Sequence, residues 1–207
     1  MEPTEPVGGA EPAADLTPRK ITDPRALRAL AHPLRMALVE ALVLHGTLTA
    51  TEAAGIVGGT PSNVSYHLRS LAKYGFVEEA EGGVGRERPW KAGAVSLSLD
   101  YEEPDQAVVQ AARALMEVTS ERWHERQRRY QHSRESYPKE IRKVSGESQF
   151  LLFCTPEEME QIQQELMEKL IALQGPRFQD PSQRPEGAVP FELILAITPY
   201  SQDPQEG

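Results

Sequence analysis

The chain of 207 residues carries 22 Lys and Arg against 31 Asp and Glu, a formal net charge of -9, with 39% hydrophobic and 26% charged residues. This is the composition of a soluble globular protein with room for one good-sized domain or two small ones, and it excludes a basic coat for nucleic acid over the whole chain while leaving a local basic face open. The one cysteine, Cys154, excludes an internal disulfide framework and any multi-cysteine metal site.

The chain begins MEPTEPVGGAEPAAD, with neither the basic head nor the apolar core of a secretory signal. No later stretch approaches the roughly 18 to 20 apolar residues of a membrane span, so an intracellular chain without a membrane partner is expected. Residues 1–20 hold four acids, two bases and four prolines, and are expected to be a disordered tail. Charge is uneven beyond it. The balance is +1 from Ile21 to Gly93 and -8 from Ala94 to Gly207, which divides the chain into a near-neutral front module and an acidic back module.

The front module, 21–100, reads as short helices and a hairpin. Asp23-Pro24 is a helix opener, a capping acid before proline at the first helical position. A second helix opens at Ala31-His32-Pro33, carries Leu34, Leu38, Val39 and Leu42 on one stripe, and stops at Gly46. Thr49 or Thr51 caps a third through Ala53, Ala54 and Ile56 to Gly58-Gly59. Thr60 then caps a fourth, with Pro61 at its first position, running to Gly75. Two short helices joined by a glycine turn form a helix-turn-helix.

The fourth helix, TPSNVSYHLRSLAKYG, is the most informative stretch. Val64, Leu68 and Leu71 make one apolar stripe. On the opposite side stand Ser62, Tyr66, Arg69 and Lys73, flanked by Asn63, Ser65 and Ser70, without a carboxylate among them. A helix entering the major groove needs donors for phosphates and base edges and must not repel the backbone. An ordinary solvated face is the alternative, weakened by the missing acids and by the helix and turn that precede it. Next, Phe76-Val77-Glu78-Glu79 and Arg86 to Lys91 read as strands around the glycine-rich run Gly82-Gly83-Val84-Gly85. In a winged helix-turn-helix this hairpin is the wing, and Arg86, Arg88 and Lys91 are its candidate phosphate contacts. Those cations can equally balance Glu78, Glu79 and Glu81 across the hairpin.

LRALAHPLRMALVEAL followed by TATEAAGIVGGTPSNVSYHLRSLAKYGFVEE resembles the ArsR-type winged helix-turn-helix transcriptional regulators over about 75 residues, from Ile21 to Lys91. The resemblance implies a cytoplasmic, nucleoid-associated homodimeric repressor or activator whose partner is double-stranded operator DNA. It places Ser62, Asn63, Ser65, Tyr66, His67 and Arg69 at DNA-facing positions; in a regulator of that kind Lys73, Arg86 and Arg88 are expected to contact phosphates. It also implies metal sensing, which the residues do not support. TATEAAGIVG has no cysteine or histidine, and His124 and His132 stand two turns apart among Arg126, Arg128 and Arg129. No cofactor and no metal ligand set are therefore expected.

The back module, 101–207, opens with a long helix from Pro104-Asp105. Val108, Ala111, Ala112, Leu115, Val118 and Trp123 drift along one face, and the alanines permit close approach of a second helix. In the resembling family that helix pairs with its twin, so these residues are expected to dimerise; packing on the chain's own front module is the other reading. Gln149 to Phe153 reads as a buried strand, and Thr155-Pro156-Glu157-Glu158 as a capping box. The helix that follows, with Met159, Ile162, Leu166, Leu170 and Leu173 on one stripe, ends at Gly175; Cys154 and Met159 are placed as a hydrophobic staple. After a proline-rich loop, Phe191, Leu193, Leu195 and Ile197 alternate as a strand.

The expected fold class is mostly α with a β-hairpin wing, a winged helix-turn-helix, plus a small α+β C-terminal region. That region exceeds what a dimerisation helix requires and reads as a seat for a small-molecule or protein effector. A winged-helix module that binds protein and not DNA is the alternative function. No nucleotide loop, nucleophile elbow or zinc-protease signature is present, so catalysis is not expected.

Overall fold

The computed structural model describes residues 19–82, 88–93, 97–98, 105–179 and 181–200. A short strand β1 (Arg19–Lys20) precedes helices α1 (Pro24–Leu30), α2 (Pro33–His45), α3 (Ala50–Val57) and α4 (Pro61–Ala72). Strands β2 (Val77–Glu79) and β3 (Trp90–Ala92) follow, then β4 (Leu97–Ser98), α5 (Gln106–Ser133), α6 (Lys139–Val144) and α7 (Pro156–Gln179).

The helix starts are set by side chains that satisfy otherwise orphaned N–H groups. Asp23 accepts from Arg25 N at 2.8 Å, with Pro24 at the first helical position. His32 caps α2 through Nδ1, accepting from Leu34 N at 3.2 Å. Thr49 rather than Thr51 caps α3, in a capping box: Glu52 N donates to Thr49 Oγ1 at 3.2 Å, and Thr49 N to the Glu52 carboxylate at 2.7 Å. Those bonds hold the Glu52 carboxyl below the usual carboxylate range.

α4 leaves regular helix at Ala72, three residues before the expected Gly75, and the difference lies in how its end is sealed. Gly75 adopts the left-handed region at φ 74. Phe76 N donates to Leu71 O and Gly75 N to Ala72 O, the paired bonds of a Schellman stop. The hairpin begins at once. β2 and β3 are antiparallel, pairing Val77 with Ala92, Glu78 with Lys91 and Glu79 with Trp90. Leu48, ahead of α3, bridges Trp90 and so ties the wing to the helices. Gly93 is required where it stands: a Cβ there would lie 2.3 Å from Gly75 O.

Leu27, Leu38, Leu42, Val64, Leu68, Leu71 and Val77 are fully buried in one core drawn from α1, α2, α4 and β2. At about 1.5–3 kcal/mol for each buried aliphatic side chain, this cluster is the main force holding α4 in place. One addition concerns the N-terminal segment. Arg19–Lys20 pair in parallel with Leu97–Ser98, so the last two residues of the expected tail are strand; 1–18 lie outside the described residues.

The long helix takes the other reading of its apolar stripe and packs on the chain's own front module. Asp105 caps it as expected, accepting from Ala107 N at 2.8 Å. Val108, Ala111, Ala112 and Leu115, however, are buried in the chain's own core, where α5 packs on α1, and Val118 is half-buried. The narrow alanine stripe does admit a close neighbour, and α1 fills it. Farther along α5, Arg122 and Arg126 both reach Glu40 of α2, and Arg126 also pairs with Glu192.

The C-terminal region departs most from expectation. The capping box forms: Thr155 N donates to Glu158 at 2.8 Å and Glu158 N to Thr155 Oγ1 at 3.2 Å. The helix it starts runs past Gly175 to Gln179. Neither 149–153 nor 191–197 is a strand, and both are exposed instead of buried. Each has the side-chain pattern of a strand, but neither has a ladder partner among the described residues. Cys154 is exposed, not tucked into a staple with the half-buried Met159. Arg184 returns the chain to the front module, donating to Val43 O and Leu44 O at 3.1 Å each, which satisfies carbonyls at the end of α2.

Candidate nucleic-acid interface

α4 presents two faces of opposite chemistry. Val64, Leu68 and Leu71 point into the core. Ser62, Asn63, Tyr66, Arg69 and Lys73 are exposed and Ser65 is half-exposed; Tyr66, at 64% exposure, is a large ring held in water. No Asp or Glu occurs from Pro61 to Ala72. Thr60 Oγ1 accepts from Asn63 N at 3.3 Å and fixes the first turn, while Lys73 Nζ sits 5.6 Å from the centre of the Tyr74 ring. Arg69 has no ion pair among the described residues, so its guanidinium fork is available to a base edge or a phosphate.

His67 does not share this face. It is 8% exposed, and its Nδ1 accepts from Arg35 Nε at 3.2 Å. The His32 ring lies 5.0 Å away and the Tyr66 ring meets it edge-on at 5.4 Å. Burial, followed by the nearby His32 and Arg35, holds its pKa below the ordinary 6.5, so the ring is neutral at pH 7. Three residues after Val64 and beside Leu68, position 67 falls on the inner side of the helix, which removes it from the DNA-facing set.

Arg35 is the residue that sequence reasoning passed over. Besides His67 it donates from a terminal nitrogen to Ala29 O at 2.8 Å, so a single guanidinium joins α1, α2 and α4. The signal was present in Ala31-His32-Pro33-Leu34-Arg35. There His32 starts α2, Pro33 fixes its first turn, and Arg35 lies one residue beyond Leu34 on the side facing α4.

Two of the wing cations, Arg88 and Lys91, are weakly paired. Arg88 pairs with Glu79 at 2.8 Å and Lys91 with Glu78 at 3.0 Å, all four side chains being about half or more exposed. Such pairs contribute about 0–1 kcal/mol and can be exchanged for a phosphate. Arg86 lies outside the described residues. On α5, His124 and His132 each fold back to a carbonyl of their own helix, Ser120 O and Arg128 O, at 2.7 Å. Among the described residues no three His, Cys, Asp or Glu side chains are grouped to hold a metal ion, and no helix is long and apolar enough to cross a membrane.

Comparison with known families places this geometry. Residues 30–80 match the family of helix-turn-helix domains. The helix-turn-helix match spans α2, α3, α4 and β2, which are the elements that build and aim the acid-free face. With the antiparallel hairpin after it, the unit is a winged helix-turn-helix. No curated protein matches the chain.

Proposed function

We propose that the chain is a sequence-specific DNA-binding transcriptional regulator of the ArsR type, acting in the cytoplasm as a homodimer on an inverted-repeat operator. The observation that carries the reading is the exposed, carboxylate-free face of α4 on a helix-turn-helix scaffold. α4 enters the major groove; Ser62, Asn63, Ser65, Tyr66 and Arg69 read or frame bases, and Lys73, Arg86 and Arg88 meet phosphates. Arg35 and His67 stay behind the interface and set the angle of α4 against α2. Two such helices related by a two-fold axis would reach grooves about 34–36 Å apart. The acidic back module repels DNA elsewhere, so binding without a matched site should be weak.

A mobility-shift titration on fragments selected from a random duplex pool tests this. Binding that falls with salt at a log–log slope near -0.9 per neutralised phosphate supports it. A salt-insensitive complex with a protein partner, and no retention on heparin, would favour a winged-helix protein-interaction module instead.

A further inference from the structure

Two extended segments of the C-terminal region carry large apolar side chains and join no ladder among the described residues. In 149–153, Phe150 is 80% and Phe153 98% exposed. In 191–197, the alternating Phe191, Leu193, Leu195 and Ile197 are 44–64% exposed. Charge is absent from 148–156, and Glu192, the one charge from Gly187 to Tyr200, is paired with Arg126. Both segments are anchored to the same stretch of α5. Glu147 accepts from Gln127 and Gln131 just ahead of the first, and Glu192 within the second meets Arg126.

The amount of apolar surface is large for a lone chain. At about 150–250 Å² per aromatic side chain, the three phenylalanines leave roughly 400–500 Å² in water, and their aliphatic neighbours add a similar area. A monomer's largest apolar patch is usually about 300–600 Å². A stable complex covers about 800 Å² per partner, the order of the area the two segments expose together. Beside it, Leu152, Phe153, Cys154 and Ile162 line an open groove of about 410 Å³ against α7.

We propose that a second copy of this chain covers this surface, with 149–153 and 191–197 pairing as strands across a two-fold axis into one shared sheet. Strand-like segments whose one charge, Glu192, is already paired with Arg126, and whose N–H and C=O groups join no ladder among the described residues, are complementary to their own twins, and an isologous contact places each against the other. The α5 stripe is covered by α1 within the chain, whereas these two segments hold the most exposed phenylalanines among the described residues. The acids of α7, Glu157, Glu158, Glu160 and Glu165, disfavour an anionic lipid surface as the occupant. This deepens the homodimer reading and rests on it, but does not depend on DNA.

The test is sedimentation velocity of the full chain over a dilution series, for wild type, Phe153→Asp and Leu193→Asp. Wild type should sediment as a dimer. Each variant should sediment as a monomer with the thermal unfolding of the winged domain unchanged, because both side chains stand in water within the single chain. A wild type that stays monomeric throughout, or variants that both remain dimeric, would overturn the proposal. Titration with a duplex holding one half-site separates it from the regulator reading. Monomeric Phe153→Asp should match wild type there and lose the tighter grip on the full inverted repeat. If wild type dimerises, the variants do not, and no duplex is bound, the dimer surface stands and the regulator reading falls.

Discussion

Leu68 and Arg69 are consecutive on α4 and face opposite ways, so truncating each in turn separates folding from binding. Leu68 is fully buried between α4 and the helices beneath it. Leu68→Ala removes about three carbons at about 0.8 kcal/mol each and leaves a cavity, which together cost about 3–5 kcal/mol. Urea unfolding followed by circular dichroism should show that loss as a lower midpoint at unchanged slope. Arg69 is exposed and unpaired among the described residues, so Arg69→Ala should change stability by less than about 0.5 kcal/mol. Its cost should appear in DNA affinity, about 1–3 kcal/mol or roughly 5- to 150-fold, by fluorescence anisotropy on the selected operator. Wild-type affinity in a folded Arg69→Ala would remove that side chain from the interface. An undiminished midpoint in Leu68→Ala would contradict the packing of α4.

Three further outcomes follow from the same geometry. His67 is held below its ordinary 6.5 mainly by burial, so below that pH the unfolded chain takes up a proton that the folded one resists. Its share of stability is complete above about pH 6.5 and shrinks as pH falls, and thermal melts at about pH 5.5 and 7.5 should differ less in His67→Gln than in wild type. Glu40→Gln leaves Arg122 and Arg126 without their shared carboxylate and should cost about 1 kcal/mol in urea unfolding, less at high salt. Gly93→Ala sets a methyl 2.3 Å from Gly75 O, where only backbone can give way; thermal unfolding should report a loss of about 1–3 kcal/mol.

The winged module was legible because its signals are local. Asp23, Thr49 and Thr60 are caps whose partners lie two or three residues away, and Val64, Leu68 and Leu71 form a stripe that any helix there must bury. The outward face of α4 followed from that stripe, His67 being the exception because it borders it. Contacts between distant residues were not legible. Arg35 finds His67 thirty-two positions on, Arg122 finds Glu40 across eighty-two, and Arg184 reaches back to Val43. The stripe on α5 was read as apolar, and within the chain it is α1 that covers it, since periodicity marks a buried face without naming what packs there. For the same reason 149–153 and 191–197 have the residues of strands and no ladder: an alternating pattern marks a segment fit to join a sheet, and among the described residues neither segment pairs with the edge of another strand.

The most direct measurement is selection of bound fragments from a random duplex pool by the purified full chain, with Arg69→Ala run in parallel. A regulator that reads DNA through α4 should enrich one inverted repeat, its half-sites about one helical turn apart centre to centre, and Arg69→Ala should blur the bases in each half. A pool that emerges with no enriched sequence, or an enrichment that Arg69→Ala leaves untouched, would contradict DNA reading by this helix.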